Sequence, residues 1–398
     1  MGAAVGASGS YSDPTNGIYP AVTLGGNGNS ILASSFYNGP PQDSGKALPY
    51  TAASTDPIRF NGQGFGNYEQ YHTPVPKIYQ WNFGVQRSLT TDIVAEVAYV
   101  GSHGFNLAFP VDINQVPQSA WSPNDSASRP YPQYQGIQTA STRTNAISNY
   151  NSLQASITKR MAKGVSLSFN YTWAHFLDDM DSSGWGSRSG QQDYQNAFNT
   201  AANYSNSNFD VRHAFKGYVV YELPFGRARQ FLNHSTLLDA VVGGWQVSGT
   251  VVLQTGQPFS VYGDQANWSL AGTQFPNRVP GAPLYVSNKG IDGWFNPGAF
   301  SKPQDGTWGN VRRNSLYGPG MNVFNMSMAK SFGLPWEGVR IEFRADAANV
   351  FNHKSLGIPG GRNLGSAAGV DEPYTSANTI SSVTTGARNM QLMFRVTF

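Results

Sequence analysis

Cysteine is absent from this 398-residue chain, so disulfide frameworks, thiolate metal sites and cysteine nucleophiles are excluded at once. Charge is scarce: 26 basic and 23 acidic side chains make up 12% of the residues and leave a formal charge of +3. That is about half of the roughly 25% found in soluble domains. No Lys/Arg run is long enough to follow a phosphate backbone, which argues against nucleic acid as a partner. No apolar run reaches the ~18 residues of a membrane-spanning helix. The opening residues, MGAAVGASGSYSDP, have neither the basic start nor the apolar centre of a secretory signal. The expectation is either a cytosolic chain or one whose true start lies upstream.

What the chain has instead is glycine and aromatic rings: 44 Gly, 9 Trp, 20 Tyr and 23 Phe. Without a spanning helix, a membrane form of this chain has to be a β-barrel, because only a closed sheet satisfies every backbone group in lipid. The last nine residues point that way. Met390, Leu392, Phe394, Val396 and Phe398 alternate with Gln391, Met393, Arg395 and Thr397. One face is oily and the other largely polar, over the roughly 9 to 11 residues that a tilted transmembrane strand needs. Taken alone, an amphipathic final strand of a soluble β-protein fits this stretch equally well.

Period-two alternation marks nine strands. The first runs through Tyr79, Trp81, Phe83 and Val85, the second lies near 92–104, the third near 149–161, and the fourth carries Val165, Leu167, Phe169, Tyr171 and Trp173. The others fall near 212–223, 243–256, 322–332, 339–347 and 390–398. The eighth decides which face meets lipid. Val339, Ile341, Phe343, Ala345 and Ala347 alternate with Arg340, Glu342, Arg344 and Asp346. An Arg facing lipid at the midplane costs about 2–4 kcal/mol, so the charged row must face the lumen. The same parity puts Glu96, Arg160, Lys216 and Arg395 inside, and predicts that Arg at position 343 impairs insertion more than Gln at 344.

The connections alternate between short (89–91, 162–164, 333–338) and long (105–148, 177–208, 257–321, 352–385), which suits periplasmic turns on one side and extracellular loops on the other. The connection 224–242 is long for a turn, and its pattern allows a short amphipathic helix. Residues 1–76, rich in Gly, Ser, Asn and Pro, read as an external loop region with at most one or two weak strands, one near 31–37. Residues 77–398 form the barrel strands. Nine is an odd count where single-chain bacterial barrels are even, so either a strand hides in 1–76 or these strands belong to a larger barrel.

Several stretches resemble a known family: 78–89 (IYQWNFGVQRSL), 92–104 (DIVAEVAYVGSHG), 150–160 (YNSLQASITKR), 169–173 (FNYTW), 209–215 (FDVRHAF), 221–226 (YELPFG), 243–258 (GGWQVSGTVVLQTGQP), 294–300 (WFNPGAF) and 343–353 (FRADAANVFNH). Together they resemble the C-terminal barrel of Oar-like TonB-dependent transporters. The resemblance covers about residues 77–398. It implies an all-β, antiparallel up-and-down barrel in the outer membrane of a Gram-negative-type bacterium, with about 9–10 of probably 22 strands present. It also implies a lumen closed by a plug domain, and coupling to the TonB energy-transducing complex. The ending through Phe394, Val396 and Phe398 resembles the signal read by the barrel-assembly machinery. Neither a plug nor a TonB box is visible in the sequence, so the expected role is that of a fragment, not competent for transport alone.

Other chemistry is weighed against this reading. Asp179, Asp181, Ser183 and Gly184 open like a calcium loop, but Gly190 stands where the closing carboxylate is needed. A solvated acidic loop is the expectation. The six His lie at 72, 103, 175, 213, 234 and 353 without zinc-binding spacing. His175 beside Asp178 and Asp179 is the best local acid-base candidate for a barrel hydrolase, yet an interfacial role at a strand end explains it more simply. Gly62 to Gly66 (GQGFG) lacks the flanking strand and helix of a dinucleotide site. Trp81, Trp173, Trp245, Tyr221, Phe332 and Phe398 read as girdle residues, and Trp121, Trp185, Trp268, Trp294 and Trp308 as loop residues that could touch a ligand. Neither an enzyme nor a cofactor is expected. The alternatives are a small complete porin or adhesin, and a soluble secreted glycan-binding protein.

Overall fold

The computed structural model describes residues 10–11, 22–23, 74–109, 115–121, 130, 144–181, 194–226, 229–231, 241–263, 274–333, 340–362, 364–365, 369–376 and 378–398. Nine long strands form its frame: β1 (Lys77–Ser88), β2 (Ile93–Ala108), β3 (Thr144–Ala162), β4 (Val165–Asp178), β5 (His213–Glu222), β6 (Trp245–Gln254), β7 (Met321–Gly333), β8 (Arg340–Ala348) and β9 (Asn389–Thr397). They lie side by side in chain order as one antiparallel meander, with Ser205–Asn206 added at the end of β4. Local sequence explains this order, because each strand is joined to the next by a turn or loop that returns on the same edge. The β3–β4 turn shows how: Lys163 and Gly164 both take positive φ (53° and 76°), the conformation of a two-residue turn whose twist matches that of its strands.

The registers assign every side chain to a face. Phe83 lies opposite Tyr99, Tyr99 opposite Leu153, and Leu153 opposite Trp173. Further along, Met328 faces Ala345 and Ala345 faces Leu392. Large apolar side chains on this face are open to the surroundings: Phe83 is 72% exposed, Leu392 69% and Phe394 70%. A soluble sheet would cover such a face, whereas lipid covers it in a membrane. Gly101 and Gly217 sit on the same face, and each lets a cross-strand ring lie flat. A Cβ at Gly101 would come within 2.3 Å of the Trp81 ring, and one at Gly217 within 2.2 Å of the Phe169 ring.

Conventional burial is found off this sheet. Phe259, Phe275, Phe295, Phe300, Leu316 and Tyr374 belong to a core built from the connections on either side of β7–β8. A second, smaller core joins Phe109, Ala146, Tyr194 and Ala197. Short pairings brace the larger one: Pro258–Phe259 with Leu316–Tyr317, Asn277–Arg278 with Phe300–Ser301, and Tyr285–Gly290 with Gly293–Phe295. The described parts of the connections before β7 and after β8 therefore pack together, which strand periodicity alone does not reveal. β2, β3 and β4 also run four or five residues further on the loop side than alternation suggests, because there they pair with one another and with Ser205–Asn206.

In the connection 224–242, residues 241–242 are helical and 232–240 lie outside the described residues. So do the strand expected near 31–37 and the turn 334–339. Among the described residues before position 74, Ser10–Tyr11 pairs with Val22–Thr23.

Candidate functional site

Barrel strands tilt, so a line of constant depth slips by about one residue per strand along the registers. Starting at Arg87 on β1, such a line along the apolar face meets Lys159 on β3, Tyr221 on β5, Trp245 on β6 and Lys330 on β7. These are rim residues. Lys159 pairs with Asp92 in the β1–β2 turn. Lys330 donates to the Val241 carbonyl (2.9 Å) and lies over the rings of Trp245 (5.5 Å) and Phe332 (4.7 Å). A second line, beside the long loops, meets Tyr79, His103, Asn151, His175, His213 and Asn322. The lines stand eight residues apart on β1, β3, β5 and β7, or about 20 Å of depth at a 40° tilt, near the ~25 Å apolar band of outer-membrane barrels. Between them the lipid face carries no Asp, Glu, Lys, Arg or His among the described residues. Phe343 falls near the first line, packed edge-on against Trp245 (6.2 Å) and Phe394 (5.5 Å). An Arg there would sit near the interface, where its cost falls to about 0–1 kcal/mol. The sharper test position is Ala155, midway between the two lines on β3.

The opposite face is polar. Gln86 lies opposite Glu96 and Glu96 opposite Ser156, while Asn170 faces Lys216. Charges concentrate on β8 and β9: Arg340, Glu342, Arg344 and Asp346 share this face, Glu342 stands opposite Arg395, and Arg344 Nε donates to Asp346 Oδ1 at 2.9 Å. Beside that pair, a groove of about 420 Å³ is lined by Tyr218, Ser248, Thr250, Asn325 and Ser327. Val219, Val220, Met326, Ala347 and Ala348 also line it, so its wall is mostly apolar with a few polar side chains. Arg160 lies at the short-turn end of β3, where its backbone N–H donates to the Asp92 carbonyl at 2.9 Å.

Above β4 the loops are clasped by Arg313, which is 1% exposed. Its guanidinium pairs with the Asp178 and Asp181 carboxylates and donates to the Asp178 carbonyl (2.6 Å) and, through Nε, to the Asn203 carbonyl (3.4 Å). Asp181 also accepts from Ser207 Oγ (3.0 Å), Asn208 N (2.8 Å) and Asn314 Nδ2 (3.0 Å). Asn314 N donates to Ser260 Oγ at 2.9 Å. Nearby, Asp210 accepts from Phe176 N (2.8 Å) and Arg212 (3.2 Å). Four stretches of chain, around 178–181, 203–212, 260 and 313–317, meet at one buried cation. Nothing in the sequence marks Arg313, which lies in a loop without periodicity.

The carboxylates singled out as a calcium-loop opening are engaged here. Asp181 holds the clasp, and Asp179 accepts from Ile147 N (2.9 Å), while Ser183 lies outside the described residues. Among the described residues no group of three His, Cys, Asp or Glu is placed to hold a metal ion. His175 pairs with Asn206 Oδ1 (3.3 Å), not with Asp178 or Asp179. Of the loop tryptophans, Trp294 packs against the larger loop core and donates to the Tyr317 carbonyl (2.8 Å). Trp185 and Trp268 lie outside the described residues. Phe394 and Val396 stand on the lipid face of the edge strand β9, and Phe398 is 96% exposed.

Burial pushes the Asp179 carboxyl up to about 6, although its bond from Ile147 pulls the other way. A carboxyl with a folded pKa above its unfolded value keeps its proton longer in the folded state. Its stabilising contribution is present below about pH 4 and lost as pH rises through about 6. Asp179→Asn keeps an acceptor for Ile147 N–H and cannot titrate. We expect the variant to lose the part of the loop cluster's stability that changes between pH 4 and 6, as read from melting curves across that range. An unchanged pH profile would contradict the assignment.

Comparison with known proteins agrees with this geometry. A family model described as outer membrane beta barrel domain matches residues 4–391. No curated protein matches the sequence significantly. Among solved structures, the outer membrane transporter YddB from Escherichia coli aligns over 85% of this chain and 36% of its own, at 10% identity and a TM-score of 0.40. The pyoverdine receptor FpvA from Pseudomonas aeruginosa aligns over 81% and 30%, at 12% identity and a TM-score of 0.38. The chain thus spans about a third of the length of these proteins. By its family match, its lipid-facing rows and its meander of transmembrane strands, this protein belongs to the outer membrane beta barrel domain family and resides in the outer membrane.

Proposed function

We propose that this chain forms the C-terminal wall of a larger, Oar-like TonB-dependent receptor, contributing lipid-facing strands, a charged lumen surface and folded extracellular loops to energy-coupled uptake. The direction of the two edge strands carries this reading. β1 and β9 both run from the long-loop side toward the short-turn side, since an even number of reversals separates them. Joining them would create a parallel pair in a sheet otherwise antiparallel throughout, and leaving them open would expose two rows of backbone groups to lipid. An odd number of additional strands satisfies both edges. The charged rows on β8 and β9 support the reading, because they suit a lumen that holds a polar plug. In this proposal the partners are lipid, the barrel-assembly machinery, a plug domain and the TonB complex, and the chain has no catalytic role.

An antibody against the folded loop 274–320 would test this on native outer membranes. We expect it to detect a polypeptide well above 43.1 kDa that cross-links to the energy-transducing complex. A 43.1 kDa species that by itself forms a closed, ion-conducting pore would overturn the proposal in favour of a small porin.

A further inference from the structure

The junction above β4 holds more buried acid than base. We propose that it is a pH-operated latch on the extracellular loops, shut in a mildly acidic medium and loosened as the medium turns alkaline. The inference rests on the clasp itself and holds whether or not the chain takes part in transport.

The count of charges carries it. Asp178, Asp179 and Asp210 are buried, and the Asp181 side chain is wholly covered. Two guanidinium groups face these four acids: Arg313 pairs with Asp178 and Asp181, and Arg212 with Asp210. Arg312, next to the clasp in the chain, is exposed, and His175 on β4 is turned to Asn206. The remaining partners are neutral donors. Ser207 Oγ, Asn208 N and Asn314 Nδ2 donate to Asp181, Ile147 N to Asp179, and Phe176 N and the Tyr317 hydroxyl (3.5 Å) to Asp210. Among the described residues the junction therefore has two carboxyls more than it can balance. Two bound protons make it neutral. Losing them places unpaired charge in surroundings that solvate it poorly.

The partners also show where the protons reside. Asp181 accepts from Arg313 and from three further donors, whereas Asp178 has to share that guanidinium and Asp179 accepts from a single backbone N–H. Asp178 stands three residues beyond the line through His175, outside the apolar band. Burial pushes its carboxyl up to about 7, with Arg313 pulling down and Asp181 pushing further up. Asp179, raised to about 6, follows the same direction. Both folded values lie above the unfolded one, so the stability they contribute is fully present below about pH 4 and is lost as pH rises through 6 and 7.

Release at this point reaches the other loops because the connections are bonded to one another. Gln115 Nε2 donates to the Gln195 carbonyl (2.8 Å) and Gln195 Nε2 to the Gly309 carbonyl (2.8 Å), while Asn378 Oδ1 accepts from Trp294 N (2.7 Å). These residues come from all four long connections.

The test uses protein extracted from native outer membranes, with hydrogen exchange read by mass spectrometry and corrected for the intrinsic rate at each pH. We expect protection of the peptides covering Ser260 and Asn314 to fall at least about tenfold between pH 6 and pH 8, the factor that one carboxyl titrating near 7 supplies. Protection of the β5–β6 ladder should stay constant. The double variant Asp178→Asn, Asp179→Asn keeps an acceptor at both positions and cannot titrate, so its loops should be equally protected at both pH values. Asp178→Asn alone should lose most of the fall, and serves if the double variant does not insert. Three results would each overturn the proposal: a wild type with the same loop protection at pH 6 and pH 8, a fall as large in the variants as in the wild type, or a fall shared equally by the β5–β6 ladder.

Discussion

Ala155→Arg should largely abolish insertion, while Gln154→Arg, one residue along the same strand, should insert almost normally. Ala155 lies between Val97 and Tyr171 on the lipid face, midway between the two rims that cross this strand at Asn151 and Lys159. Gln154 points to the polar face, beside Ala98 and Thr172, and donates to Ser152 Oγ at 3.3 Å. A midplane Arg on lipid costs about 2–4 kcal/mol, a factor of roughly thirty to a thousand in the insertion equilibrium, whereas a lumen Arg finds water and polar partners. The same side chain is added to the same strand in both variants, so propensity and charge cancel and only the face differs. Heat-resistant folded protein in purified outer membranes is the readout. Equal yields from the two variants would mean that the faces are assigned wrongly.

Arg313→Met should release the extracellular loops while leaving the strands in place. The substitution keeps much of the side-chain volume but leaves Asp178 and Asp181 buried without their cation. Breaking a buried pair from one side costs about 3–5 kcal/mol, because a charge stays behind in a medium that solvates it poorly. We expect residues 255–320 to become rapidly proteolysed, with amide protection lost at Asn314, whose N–H is held by Ser260 Oγ. Protection of the β5–β6 ladder should be retained. Adding Asp178→Asn and Asp181→Asn to Arg313→Met removes the stranded charges and should restore much of the protection. If the single variant is as protected as wild type, the clasp contributes little and the loop core around Phe295 and Phe300 suffices.

The strands were legible because each carries its own evidence. Lipid on one side and polar contents on the other impose period two on every crossing, so Phe343 and Arg344, or Phe394 and Arg395, declare their faces without reference to any other part of the chain. Loop lengths were legible for a related reason: short turns on one side leave little room for anything but reversal. The loop cores were not legible. Phe275, Phe300 and Tyr374 are distant in sequence and follow no period, so nothing local distinguishes them from exposed loop aromatics. The acidic stretch at 178–181 gave a partial signal. Its carboxylates stood out, but their partner Arg313 lies more than a hundred residues away, and a calcium loop was as natural a use for them as an ion clasp.

The amino-acid sequence by itself determined the class of this protein, the place of its long strands and which side chains share a face of the sheet, because the membrane is a uniform solvent that acts on each strand independently. Only the tertiary structure decided which distant charges meet, how the loops pack, and that three histidines from three strands line one rim. Those arrangements depend on register and tilt, properties of pairs of strands that no single stretch of chain encodes.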